Sequence, residues 1–408
     1  MRITSLIVAA VLALLHSVPV NAGRLKGQAV TWADFSHIVA IATSLNYVYF
    51  ATSEGVMRYD KQEHHWTLPL TGADGLDSDL PQRIWVERFD ERLYLETTLG
   101  LYEYDPLFER WFQISELPEF ESQTRHIKTP VDLLPPPGLS FVDENSVTDN
   151  YSRRYLITDV VDDGAGDLWV GTWGYGAATA GSSARLLELL PFGLLQEDVR
   201  TIERDGPLLW LAGAIGNSER TGLTSFNTET SEFSFVESGV TNEFPSANVY
   251  ALATSGRYIY VGTDDGLYIL NRAGNSVVRH LSRRNGLLDE SVKSLLLLGD
   301  SLLIGTTGGI NLITGVNDSV RYVYPGHFQT RAVYDFSVSH RYIWIASDIG
   351  AFRLSRKSGK LQRFNDPNGV LFSRVFKIDQ YQRTVWFVSE AGVVSLDLSN
   401  GKTTAYRD

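Results

Sequence analysis

A nine-residue block recurs along this chain and limits the fold more than any other feature. It reads apolar, aromatic, apolar, small, Thr or Ser, two variable residues, Gly, apolar. Its eight copies begin at Val48 (VYFATSEGV), Leu93 (LYLETTLGL), Leu168 (LWVGTWGYG), Leu209 (LWLAGAIGN), Ile259 (IYVGTDDGL), Leu302 (LLIGTTGGI), Ile343 (IWIASDIGA) and Val385 (VWFVSEAGV). Most copies lie about 42 residues apart, the length of a four-stranded propeller blade. A unit that short cannot bury its apolar faces alone, so the units must stack on one another.

Turn chemistry divides each unit into four strands, most clearly in the fifth copy. Val249 to Thr254 is expected as the innermost strand, followed by Tyr258 to Thr263, Leu267 to Asn271 and Ser276 to Leu281. Ser255-Gly256 and Asp265-Gly266 close the hairpins, Gly supplying the positive φ that tight turns require. No segment of the mature chain keeps a 3.6-residue apolar period over several turns, which excludes helical readings. The fold class is therefore all-β, a β-propeller of four-stranded blades. Eight blades are expected, with seven as the alternative if the copy at Leu209 is filler.

The aromatic place of the block holds Tyr49, Tyr94, Trp169, Trp210, Tyr260, Trp344 and Trp386, and only Leu303 departs. Rings at one place in every blade are expected to fill the space between sheets, each burying about 150–250 Å². They read as core and not as a sugar-stacking platform.

The run Asp163-Gly164 followed by Leu168-Trp169-Val170-Gly171-Thr172 has a further accompaniment. Gly-Leu or Gly-Val pairs at Gly75-Leu76, Gly193-Leu194, Gly286-Leu287 and Gly369-Val370 stand ahead of inner strands. Together these resemble the two-component-regulator propeller repeat of extracytoplasmic sensor domains in bacterial hybrid histidine kinases. The resemblance covers nearly all of the chain after Gly23. It implies a propeller and a sensor-like role, although a blade motif reports packing and the ligand site is added to it separately. Those sensors continue into a membrane span and a kinase. This sequence ends at Asp408 without either, so a sensor role implies a partner, such as a membrane-bound signalling protein.

The amino terminus reads as a signal peptide over residues 1–22: Arg2 is basic, Leu6 to Leu15 are apolar, and Val20-Asn21-Ala22 offers a cleavage site. A single propeller domain is expected over residues 23–408. The apolar run is shorter than the roughly 20 residues that span a bilayer, so no membrane insertion is expected after cleavage, and the address is periplasmic or extracellular. The absence of Cys excludes disulfides and thiolate metal sites. A net charge of −12 and a pI near 5.2 argue against nucleic acid as a partner.

Function is expected where the repeat breaks. The interval between the second and third copies is oversized, and an inserted Pro-rich surface loop is expected at about 115–154, containing Pro118 and Pro135 to Pro137. Close by, Trp173 and Tyr175 fall in a turn outside the core aromatic column. Residues opening the inner strands are expected at the channel mouth, aligned as His37, Gln82, Ile157, Asp198, Asn248, Ser291, Ala332 and Arg374. That mixture lacks the His or carboxylate set of a zinc or calcium site, so neither a metal nor another cofactor is expected. No phosphate loop and no Gly-x-Ser-x-Gly elbow occurs.

The leading expectation is a non-catalytic binding module that takes a small molecule, oligosaccharide or peptide at the channel mouth. Its expected contacts are Trp173, Tyr175, His37, Gln82, Asn248, Asp264, Asp265 and Arg374. An extracytoplasmic lyase or hydrolase acting on glycans, and a structural scaffold of an envelope complex, are the alternatives.

Overall fold

The structure, a computed structural model, describes residues 31–407 except 77–79, 89, 182–184, 216–219, 239–243, 245–246 and 274. The expected signal peptide lies outside the described residues. Eight antiparallel sheets follow one another at 38–66, 81–114, 125–190, 199–237, 249–281, 292–323, 333–364 and 375–406. Seven have four strands in sequential order, and the third has seven. Every copy of the repeat forms the second of the four core strands of its sheet. The copy at Leu209 is a full blade, so the propeller has eight.

In the fifth blade the strands are Val249–Thr254, Tyr258–Thr263, Gly266–Asn271 and Ser276–Leu281, within one residue of the turn-based expectation. Gly266 is required at its hairpin: its φ is +102°, and a Cβ there would lie 2.2 Å from the Leu281 carbonyl oxygen.

The aromatic column is buried in seven blades, by Tyr49, Tyr94, Trp169, Trp210, Tyr260, Leu303 and Trp344. Trp344 shows the packing, with ring centroids 5.2 Å from Phe364 and 5.4 Å from Phe387, both edge to face. Trp386 departs from the expected core role. It is 38% exposed on the outward face of the eighth blade, with Tyr406 stacked against it at 6.0 Å.

Blade order in space differs from blade order in sequence. The fourth to eighth blades pack consecutively, but the first blade sits between the third and the second. A Cβ on Gly171 of the third blade would meet Ile38 of the first, as one on Gly262 would meet Val292 and one on Gly305 would meet Val333 in consecutive blades. The first and third blades thus form the same kind of junction as the fifth and sixth.

The insertion closes off this three-blade group. Where its prolines led to the expectation of a surface loop, the structure has three short strands: Arg125–His126, Leu139–Asp143 and Ser146–Asp149. The first and last pair with the inner strand of the third blade, Arg154–Asp162, and the middle one pairs with the last. Pro118 precedes the first of these strands, and Pro130 and Pro135 to Pro137 fall between the first and the second, so no ladder bond is lost. The insertion also covers both outward blade faces. Phe120 stacks on Tyr94 at 5.1 Å, while Leu133 and Ile127 pack with Val160, Leu168 and Val170.

An additional edge strand over Gln28 to Trp32 is a natural reading of the sequence; residues 28–30 lie outside the described residues, and residues 31–36 form no strand. Trp32 instead joins an aromatic cluster, with centroids 5.6 Å from Phe192, 5.3 Å from Phe226 and 5.0 Å from Phe233. The Ala33 carbonyl accepts the Leu194 amide at 2.8 Å. This stretch ties the three-blade group to the fourth blade.

Candidate functional site

All eight inner strands break register near their start, after the first paired residue in seven blades and after the second, Ile157, in the third. The bulged residues are Val39, Gln82, Thr158, Arg200, Tyr250, Lys293, Tyr334 and Phe376. A bulge interrupts the in-and-out alternation of a strand and re-aims one side chain. The third blade's Thr158 is turned into the junction, its hydroxyl donating to the Ile38 carbonyl of the first blade at 2.9 Å, whereas others of the set meet at the mouth.

In consecutive blades these residues touch. The Arg200 guanidinium lies 5.7 Å and the Lys293 ammonium 3.2 Å from the Tyr250 ring centroid, one ring holding two cations from the blades on either side. Half-burial lowers the Lys293 pKa, and the Asp264 charge opposes that shift. Arg200 also donates to Asp198 at 3.1 Å. Further round, the Tyr334 and Phe376 rings are 5.9 Å apart, and the Arg374 guanidinium stands 5.9 Å from Phe376.

The register corrects the alignment of the expected channel column. The residue ahead of the pair that precedes each bulge is His37, Leu80, Leu156, Asp198, Asn248, Ser291, Ala332 and Arg374, with Leu156 itself paired to Trp173. Gln82 is the exposed bulge residue of the second blade, and Ile157 is the paired residue directly before the bulge of the third. Pro81 shifts the apparent start of the second strand, and the inner strand of the third blade extends past its usual end to pair with the insertion.

The other expected contacts separate into groups. His37 meets Trp173 edge to face at 4.9 Å, and the two residues share a β-bridge between the first and third blades. Trp173 is 41% exposed, as is its cross-strand partner Leu156 at 52%, making an apolar lip. Asn248 and Asp264 form a closed pair, with Asn248 Nδ2 donating at 2.6 Å and its amide at 3.0 Å. The Asn248 Oδ1 accepts the Ile215 amide at 2.9 Å and so reaches the fourth blade. Asp265 accepts the Tyr268 hydroxyl at 2.5 Å, and its carbonyl accepts His280 Nε2 at 2.6 Å. Arg374 is exposed and its backbone carbonyl accepts the Glu390 amide.

Tyr175 does not reach the mouth, contrary to expectation. It is buried beneath the Arg220 guanidinium, 4.2 Å from its ring, and its carbonyl accepts Arg220 Nη1 at 3.1 Å. Burial pushes its hydroxyl up to about 12. Tyr175 lines a cavity of about 40 Å³ together with Asp34, Phe192 and Arg220, room enough only for water. Arg220 in turn is held by Glu237, with Nε at 3.0 Å and Nη2 at 2.7 Å.

Arg200, Tyr250, Lys293, Tyr334 and Phe376 escaped the sequence reading. Simple alternation assigns them to packing faces, and their signal was charge or bulk one place inside the strand start. Among the described residues, no three His, Asp or Glu side chains converge to hold a metal ion. Among the same residues, no helix is long and apolar enough to cross a membrane.

The chain matches no protein-family model and no curated protein sequence. Among solved structures it is similar to the extracellular domain of a protein named as a one-component system from B. thetaiotaomicron, at 12% identity and a TM-score of 0.42, covering 91% of this chain and 66% of that one. It is also similar to the extracellular domain of a protein from B. thetaiotaomicron named as a hybrid two-component system. There the identity is 15% and the TM-score 0.41, with 91% of this chain and 63% of that one covered. The chain thus spans just under two thirds of the length of these two domains.

Proposed function

We propose that this protein is an exported, non-catalytic recognition module of the sensor type, taking its target at the mouth where the inner strands begin. The observation that supports this most is the bulge repeated in all eight inner strands, which gathers Arg200, Tyr250 and Lys293 into one cluster. Cations, aromatic rings and amide-carboxylate pairs mix there with the apolar lip of Trp173 and Leu156. Such a surface suits a polar organic target, an oligosaccharide or a peptide, better than a bare ion. A signalling role for it requires a second protein, which we place at the membrane.

The test is a binding screen of the secreted protein against arrayed oligosaccharides and peptides, repeated with Lys293→Ala and Trp173→Ala. Affinity for any hit is expected to fall at least about tenfold in one of the two variants. Unchanged affinity in both removes the mouth as the site.

A further inference from the structure

A cavity of about 250 Å³ lies between the first and second blades, lined by Tyr49, Arg58, Asp90, Glu91, Leu93, Tyr104 and Pro106. It is at the opposite end of the blades from the mouth: Tyr49 is near the start of the strand Tyr47–Thr52, and Asp90 and Glu91 lie in the turn before Leu93–Thr97. Its size approaches the roughly 300 Å³ at which small-molecule pockets begin.

Its charged groups are arranged for a ligand bearing both signs. Arg58 is half-buried, its guanidinium 4.9 Å from the Tyr47 ring, with Nε donating to Thr67 Oγ1 at 2.9 Å. Among the described residues, no ion pair includes it. Glu91 Oε1 accepts Ser44 Oγ at 3.1 Å and Asn46 Nδ2 at 2.9 Å, which fixes the carboxylate beside the cavity. Burial and the Glu91 charge raise the Tyr49 hydroxyl, while Arg58 opposes them, so these three groups feel one another across the space. Buried Leu93 and Tyr104 supply an apolar wall.

The junction of the seventh and eighth blades explains the opening. There Arg353 lies 5.3 Å from the Tyr342 ring, as Arg58 lies against Tyr47. The column residue at that junction is Trp344, 1% exposed and packed on Phe364 and Phe387. Between the first and second blades the smaller Tyr49 occupies the column, and a charged turn replaces the aromatic packing.

We propose that this cavity is a second binding site, for a small zwitterion of the α-amino acid class. The ligand carboxylate pairs with Arg58, its ammonium with Glu91, and an apolar side chain rests on Leu93, Tyr104 and Pro106; Asp90 at the rim is already paired with Arg92 at 3.4 Å. The site stands apart from the mouth and does not depend on it.

The test is calorimetric titration of the full secreted chain with free glycine, L-leucine and L-phenylalanine, alongside N-acetyl-leucine and leucine methyl ester. Binding is expected for a free amino acid, with each blocked derivative at least about tenfold weaker because a charged group in the site loses its partner. Tyr49→Trp should abolish binding by filling the cavity with the ring that four other blades use. If that variant does not fold, Arg58→Met serves instead. The proposal is overturned if none of the free amino acids binds, if blocking either end leaves affinity unchanged, or if binding survives in whichever variant folds. Lys293→Ala should leave this binding intact, and its loss there would equally overturn a separate site.

Discussion

The Asp159 carboxylate accepts the Ile41 amide at 2.8 Å across the junction of the third and first blades, and Asp335 accepts the Ile378 amide at 2.9 Å across the junction of the seventh and eighth. In each case an acid on one inner strand satisfies a backbone donor on the next. The aromatic column supplies area, and these bonds fix the angle and height at which two blades meet.

Asp335→Ala should therefore destabilise the protein by about 1–3 kcal/mol, since it strands a buried N–H. The midpoint of urea unfolding reads the change. A shift equivalent to less than about 0.5 kcal/mol would assign the junction to ring packing alone.

The two latches differ in their second partner, and pH should tell them apart. Asp335 is paired with Lys377 at 3.2 Å, whereas Asp159 is bonded to His126 Nδ1 at 2.8 Å. The bond to Asp159 raises the His126 pKa, against a partial loss of solvent around the exposed ring, which lowers it. A raised histidine contributes stability that is fully present below its unfolded value near 6.5 and is lost as pH climbs through the folded value. Thermal unfolding of wild type and His126→Gln should differ most near pH 5.5 and converge towards pH 8.5. A gap that holds constant across that range counts against the latch.

The buried Arg220–Glu237 pair joins the fourth blade to Tyr175 of the third. Arg220→Ala removes two of the donors to Glu237 while leaving that carboxylate buried, with Arg153 at 3.4 Å as its remaining cation among the described residues. A loss of about 3–5 kcal/mol is expected. Replacing the pair together, with Arg220→Met and Glu237→Leu, should recover most of it. Equal losses in the single and double variants would show that the ions themselves are needed.

Trp344 and Trp173 give opposite expectations for the same substitution. Trp344→Ala opens a cavity in the core and should cost about 3–5 kcal/mol. Trp173→Ala, at the exposed lip, should stay within about 1 kcal/mol and act on binding instead. Chemical denaturation of the two variants side by side decides this.

The blades were legible because their signal is repeated: each copy carries the same rings, hydroxyls and turn glycines, and errors in one are corrected by the rest. The four strands of the fifth blade could be placed almost to the residue for that reason. The mouth was harder to read. A bulge leaves no mark in composition, and an alternating count assigns the inserted residue, such as Lys293, to a packing face; in the second blade Pro81 also shifts the apparent strand start onto Gln82. Tyr175 was misjudged because its burial depends on Arg220, 45 residues further along. The place of the first blade between the third and second was beyond reach, since every junction uses the same kind of residues and the repeat does not encode which blade follows which.

That placement bears on how the polypeptide acquires its shape. Ile41 and Asp159 are separated by 118 positions, so the leading blade cannot complete its packing until the third has been synthesised. Ordering the ends of so long a stretch is slow compared with forming one blade. The first half of the molecule should then gain its structure in a single late step, whereas the remaining five blades can add one upon another as each becomes available.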